Sequence, residues 1–237
     1  MHKTRLTRPR WLPQLTPGVF AITVITAGCW LAMAVLRAVV GAIGDAGHPG
    51  LATASVWETL FDHVALIPGG MLEYGPQGLL TLVLVHDGLF HVGFNLLALA
   101  SLGPWVERAL GLRRFLVLYL VSALCGSLLH VAWSFAFGDP MIPVVGASGA
   151  VMGVLAGFAL LFPTAQVQVW VSAPLRASNL IWLAVAVDAI FVIADPRIAV
   201  TVHLGGILGA ILYLRRPWRP GAARRLWADI GFGGKFR

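Results

Sequence analysis

A few polar side chains stand inside otherwise apolar stretches of this sequence: His91 with Asn95, His130, Ser148, Asp188 and His203. An ionisable or polar group surrounded by apolar neighbours is costly, so each is first read as functional and then weighed against a packing role. Ser148 lies in Gly146-Ala147-Ser148-Gly149, where a loop passes into an apolar helix. Unpaired backbone N–H groups gather at such a helix start and favour negative charge. The serine is therefore either a helix cap or a nucleophile whose oxyanion those N–H groups could hold. It does not stand in a G-x-S-x-G turn, because Ala150 occupies the last position. His203 is followed on its own helix face by Gly206 and Ala210, and Gly149, Gly153 and Gly157 form a second small stripe after Ser148. Stripes of small residues let membrane helices approach closely. Close approach is what a serine–histidine hydrogen bond of about 2.6–3.2 Å demands. The alternative is two packing faces beside an incidental histidine.

His91 and Asn95 are four residues apart and share one helix face, a suitable pair of donors for an oxyanion. A zinc site is the rival reading, and it fits poorly. His86 and His91 would project about 140° apart on a helix, no H-E-x-x-H is present, and asparagine is an unusual zinc ligand. Asp188 matches no catalytic position that the residues assign: it is either the orienter of a triad or, as expected here, a structural partner for a nearby polar group. His130 is expected to be a buried, hydrogen-bonded histidine.

The elements that position these groups follow from composition. Of 237 residues, 58% are hydrophobic and 11% charged, and the mean hydropathy is +0.83. Soluble domains carry roughly twice that charge fraction, so lipid is the expected solvent. The run 19–40 is long enough to cross a bilayer and longer than a signal-peptide core. Further spans are expected at 88–103, 115–134, 144–162, 179–194 and 198–214, making an all-α polytopic membrane protein with six transmembrane helices. Cys29 and Cys125 both lie in apolar runs and read as packing residues rather than a disulfide.

Charge sets the expected orientation. With the N-terminus in the cytoplasm, all of the 17 basic residues except Arg37 and Arg197 fall on the cytoplasmic side. The expected organisation is a basic cytoplasmic tail at 1–18, a membrane domain at 19–214 and a second basic tail at 215–237. The formal charge of +7 is thereby explained by the membrane, with anionic lipid headgroups as partners and no nucleic acid. Arg37, near the outer end of the first span, is expected to snorkel to the interface. The outer segment 41–78 holds Trp57, Leu60, Phe61 and 64–67, short apolar pieces expected to lie in the interface.

The order His86-x4-His91-x3-Asn95, then Gly146-x-Ser148-Gly149, then His203 followed by small residues, resembles the rhomboid intramembrane proteases in their six-helix bacterial form. The likeness covers about 79–214 and includes Val106-Glu107 through Arg114-Phe115 after the second span. It implies a serine endopeptidase of the inner membrane that works through a Ser-His dyad, with Ser148 as nucleophile and His203 as base. His91, Asn95 and the Ser148 N–H would form the oxyanion hole, and no metal or cofactor would be needed. The second, fourth and sixth spans would surround a water-filled cavity, with the fifth as a lateral gate. Partners would be single-pass or multi-pass transmembrane protein substrates. The sequence departs from the family pattern in having no Arg in 41–78, Met152 where some members have Tyr, and Ala210 where Gly is frequent. Two alternatives stand beside this reading. One is an inactive rhomboid-like client-binding protein, although such relatives usually lose the serine or the histidine. The other is a small proton-coupled transporter using Asp188 and His130, although no matched halves are visible.

Overall fold

The computed structural model describes residues 14–45, 53–168, 174–194 and 200–215. All of the two basic tails except 14–18 and Arg215, and with them most of the expected orientation signal, lie outside these residues, as do Arg197 and part of the outer segment. The described chain is helical apart from short loops and one antiparallel pair, Gln166–Val167 with Leu175–Arg176.

Among the described residues, three helices are long and apolar enough to cross a membrane: α1 (Pro17–Asp45), α5 (Leu89–Leu110) and α6 (Leu112–Phe137). Three shorter apolar helices, α7 (Ser148–Leu161), α8 (Leu180–Ala194) and α9 (Val200–Arg215), fall on the other expected spans. Between α1 and α5 lie α2 (Thr53–Val64), α3 (Met71–Tyr74) and α4 (Gly78–Thr81). The chain is an integral membrane protein whose exposed apolar side chains, such as Phe20, Ile25 and Leu31 on α1, face outward rather than into a core.

Helix α7 lies at the centre, against α5, α6, α8 and α9. Glycines stand on it where neighbouring backbones come closest. A β-carbon at Gly206 of α9 would lie 1.9 Å from the Gly149 carbonyl oxygen, so the α7 and α9 backbones touch there. A β-carbon at Gly153 would lie 2.0 Å from Ser122 Oγ of α6 and 3.1 Å from the Gly206 carbonyl. Gly205 and Gly209 occupy the adjacent face of α9 and meet Cys125, Gly126 and Ser122 of α6. The small-residue stripes thus draw three helices together, not only the two expected from Gly149 and Gly206. Gly157 meets Leu118 of α6 rather than a small face of α9.

Helix α5 runs seven residues beyond its expected end, through the buried Pro104 to Leu110. Gly111, at φ 80°, is the single residue between α5 and α6, so Arg108, Arg113 and Arg114 stand on helix ends rather than in a loop. The buried Glu107 carboxylate accepts hydrogen bonds from Gly18 N and Val19 N, both 2.9 Å, and from the Thr16 hydroxyl. It thereby caps the start of α1, satisfying backbone donors that a helix start leaves without intrahelical partners. Arg108 donates to the Gln14 carbonyl beside it.

The outer segment is pinned to the loop before α7. Leu66 and Val144 exchange both backbone hydrogen bonds, at 2.9 and 2.8 Å, and Gly69 N donates to the Pro140 carbonyl. Ser127 of α6 donates to the Leu79 carbonyl, and Thr81 to the Val64 carbonyl. The short apolar pieces at Trp57 to Ile67 are accordingly the helix α2 and a pinned strand-like residue. Arg37 does not stand alone: its guanidinium lies over the Trp57 ring, 5.8 Å from the centroid. Cys29 and Cys125 are free thiols on different helices.

Candidate active site

Ser148 is the first residue of α7 and follows Ala147, whose side chain offers no cap. Its own side chain is turned away from a capping role: Ser148 Oγ lies 2.8 Å from His203 Nε2. His203 stands in the first turn of α9, and the Gly149–Gly206 backbone contact lies just below the pair. Serine and histidine thus meet because the helices carrying them have no side chains between them. Both residues are only partly buried, so the pair is accessible from one side.

The other ring nitrogen is also engaged. His203 Nδ1 lies 2.8 and 2.9 Å from the two Asp188 carboxylate oxygens, and Asp188 is 5% exposed on α8. Asp188 therefore does partner a polar group, and that group is His203. Sequence reasoning isolated Asp188 as the acidic residue within its span, but nothing in the spacing of 188 and 203 signals that α8 and α9 pair at that height. His130 is hydrogen-bonded as expected, through Nδ1 to Thr201 Oγ1 at 2.8 Å, but is half-buried rather than buried. That contact joins α6 to α9 and is separate from the Ser148–His203 pair.

His91 lies against the loop before Ser148, and Asn95 stands one turn further along the same face of α5. Gly146 has φ 118°, and a β-carbon there would lie 2.6 Å from His91 Nε2. Only glycine leaves room for the imidazole two residues ahead of Ser148. Asn95 is buried, and its amide donates to the His91 carbonyl one turn back, at 3.1 Å. One amide hydrogen of Asn95 is occupied in this way, and its second is left for another acceptor.

His86 fills a place not foreseen beyond its poor fit to zinc. Its Nε2 accepts the Ala147 N–H at 3.1 Å, and its ring stands edge-on to His91 with centroids 5.0 Å apart. Burial, and secondarily the neighbouring His91, push its pKa down to about 4, partly opposed by the nearby Leu84 carbonyl. That carbonyl makes no hydrogen bond of good geometry with the buried Nδ1. A neutral His86 is the form that can accept from Ala147, so the low pKa and the contact agree. With Gly146 N donating to the Leu82 carbonyl at 2.9 Å, the residues leading into Ser148 are held by the segment before α5.

A fixed serine hydroxyl against an imidazole, at a helix start rich in N–H donors, suits attack on a carbonyl carbon and stabilisation of the resulting oxyanion. Comparison with known proteins points the same way. The rhomboid domain family matches residues 76–218. Rhomboid protease GluP of Bacillus subtilis (strain 168) is 36% identical over 131 residues, covering 55% of this chain and 24% of that protein. Rhomboid protein 1, mitochondrial, of Saccharomyces cerevisiae is 33% identical over 134 residues, covering 54% of this chain and 38% of that protein. Rhomboid protease AarA of Providencia stuartii is 32% identical over 84 residues, covering 31% of this chain and 30% of that protein. In each case most of the relative lies outside the match.

Proposed function

This chain belongs to the rhomboid family, and from that premise we propose that it is an intramembrane serine endopeptidase cutting transmembrane segments of other membrane proteins. The observation that carries the reading is the 2.8 Å contact between Ser148 Oγ and His203 Nε2 at the start of α7. In this mechanism Nε2 takes the hydroxyl proton as Oγ bonds to the scissile carbonyl carbon. The negative charge moves onto the carbonyl oxygen, facing the Ser148 N–H, His91 and Asn95. The tetrahedral adduct collapses as the C–N bond breaks, and the proton on Nε2 passes to the departing amine. Water, deprotonated by the same nitrogen, then cleaves the acyl ester and restores Ser148.

The length of α7 supports a reaction below the membrane surface. Its 14 residues make a helix of about 21 Å, against a hydrocarbon layer of about 30 Å. With its C-terminal end at the cytoplasmic face, Ser148 lies roughly 9 Å beneath the outer boundary. The pinned loop 140–147 fills the remainder, and non-helical backbone at that depth requires a hydrated or protein-lined space. Such a space can receive an unwound stretch of a client helix, cut near its outer end after a small residue.

The test is co-expression with single-pass client proteins, comparing wild type with Ser148→Ala. Cleavage by wild type alone supports the reading. A wild type that binds clients without cutting any of them favours a client-binding protein instead.

A further inference from the structure

We propose that Asp188 completes a catalytic triad, acting as a positioning residue that holds His203 in the tautomer able to accept the Ser148 proton. The proposal rests on the protease reading and adds a residue from α8 to its machinery. Both carboxylate oxygens lie within 2.9 Å of Nδ1, while Nε2 faces Ser148 Oγ at 2.8 Å. An ionised carboxylate can only accept, so the nitrogen facing it carries the hydrogen. A neutral imidazole has a single N–H, which leaves Nε2 bare. A bare Nε2 can do only one thing with the serine, namely accept from its hydroxyl. When it takes the proton, the new imidazolium lies against a negative charge with little water between them. Asp188 itself stays ionised throughout, and no proton crosses from Nδ1.

The surroundings argue against a merely structural tie. Asp188 is buried on an apolar helix, and among the described residues His203 is its only hydrogen-bonding partner. Holding α8 against α9 needs only a neutral hydrogen bond, such as the one between His130 and Thr201 at the same end of α9. A carboxylate buried in a lipid-facing bundle costs far more than an amide or hydroxyl there. Its charge is of use where charge develops, and His203 is where this mechanism develops it.

Asp188→Asn separates the two roles. Asparagine keeps shape and one acceptor, so it can preserve the tie. It removes the counter-charge, and its NH2 can donate to Nδ1 and lock the wrong tautomer. In the purified protein, kcat on a cleaved client helix should fall about 10²–10⁴-fold, as expected for loss of a triad carboxylate. KM should stay within about threefold, and the melting temperature should be nearly unchanged. A variant with kcat within about threefold of wild type would overturn the triad while leaving the protease reading intact. A wild type that cleaves nothing would overturn both. Should the variant not fold, nitrogen-15 NMR of His203 in the wild type decides the matter. Hydrogen on Nδ1 with Nε2 bare supports the triad, and hydrogen on Nε2 contradicts it.

Discussion

Two side chains meet at 2.8 Å in Ser148 and His203, and the helices that carry them are held at that distance by the touching backbones of Gly149 and Gly206. Ser148→Ala and His203→Ala should each abolish cleavage while leaving abundance and melting temperature close to wild type; substantial residual cleavage in either would remove that residue from the mechanism. On the proposed mechanism His91→Ala and Asn95→Ala each remove one oxyanion donor, for which a loss of about 10²–10³ in kcat is expected, less than the loss of the nucleophile. These residues were visible in the sequence because polar groups in apolar runs are few. The Asp188–His203 contact was not, since it depends on how two helices rotate against each other. His86 offers a separate test by pH. Its pKa is lowered on folding, so between 6.5 and about 4 the unfolded chain binds a proton that the folded chain does not. Stability therefore falls as pH is lowered through that window. Melting temperatures of wild type and His86→Gln, measured across it, should converge toward the acid end; parallel curves would mean that His86 does not carry this dependence.

At the scale of elements, the contact of α7 with α6 and α9 is what fixes the site. Gly149, Gly153 and Gly206 were legible as small-residue stripes, and Gly149 and Gly206 do meet. The share taken by α6 was not read from the sequence, although Ser122, Cys125 and Gly126 stand at i, i+3 and i+4 on one helix face, because nothing in that short stripe says which helix it meets. Helix ends were harder still: α5 continues through Pro104, whose missing N–H would ordinarily argue for a stop. Replacing Gly206 by Leu would drive a side chain into the Gly149 carbonyl, and Gly153→Leu would collide with Ser122. Each should cost at least about 1–3 kcal/mol of stability and lower kcat as well. Full activity with a wild-type melting temperature in both variants would show that the helices separate without harm to the site. The Glu107 cap on α1 makes no contact with Ser148 or His203, and Glu107→Gln should lower stability while sparing the Ser148–His203 geometry.

For the whole molecule, the reading is a membrane domain at 19–214 between two basic cytoplasmic tails. Charge asymmetry carried that expectation, and reporters fused at either end should score as cytoplasmic. An external score for a fusion after Arg237 would overturn the six-span arrangement. The depth of Ser148 bears on the choice of substrate. A helical peptide bond is shielded by its own hydrogen bonds, and unwinding it in lipid leaves polar groups unpaired at several kcal/mol each. Clients with Gly or Pro in the outer half of their helix should be cut fastest, since these residues lower the helix propensity to be overcome. Cleavage that stayed equally fast after those residues were changed to Leu would mean that unwinding does not limit the rate.

The central claim is that Ser148 is a nucleophile activated by His203. Reaction of the purified protein with a fluorophosphonate, followed by mass-spectrometric mapping of the adduct, tests it without knowledge of any client. The account predicts a single adduct on Ser148 in the wild type, absent from Ser148→Ala and strongly slowed in His203→Ala. An unlabelled wild type, or labelling that persists unchanged without His203, would contradict it.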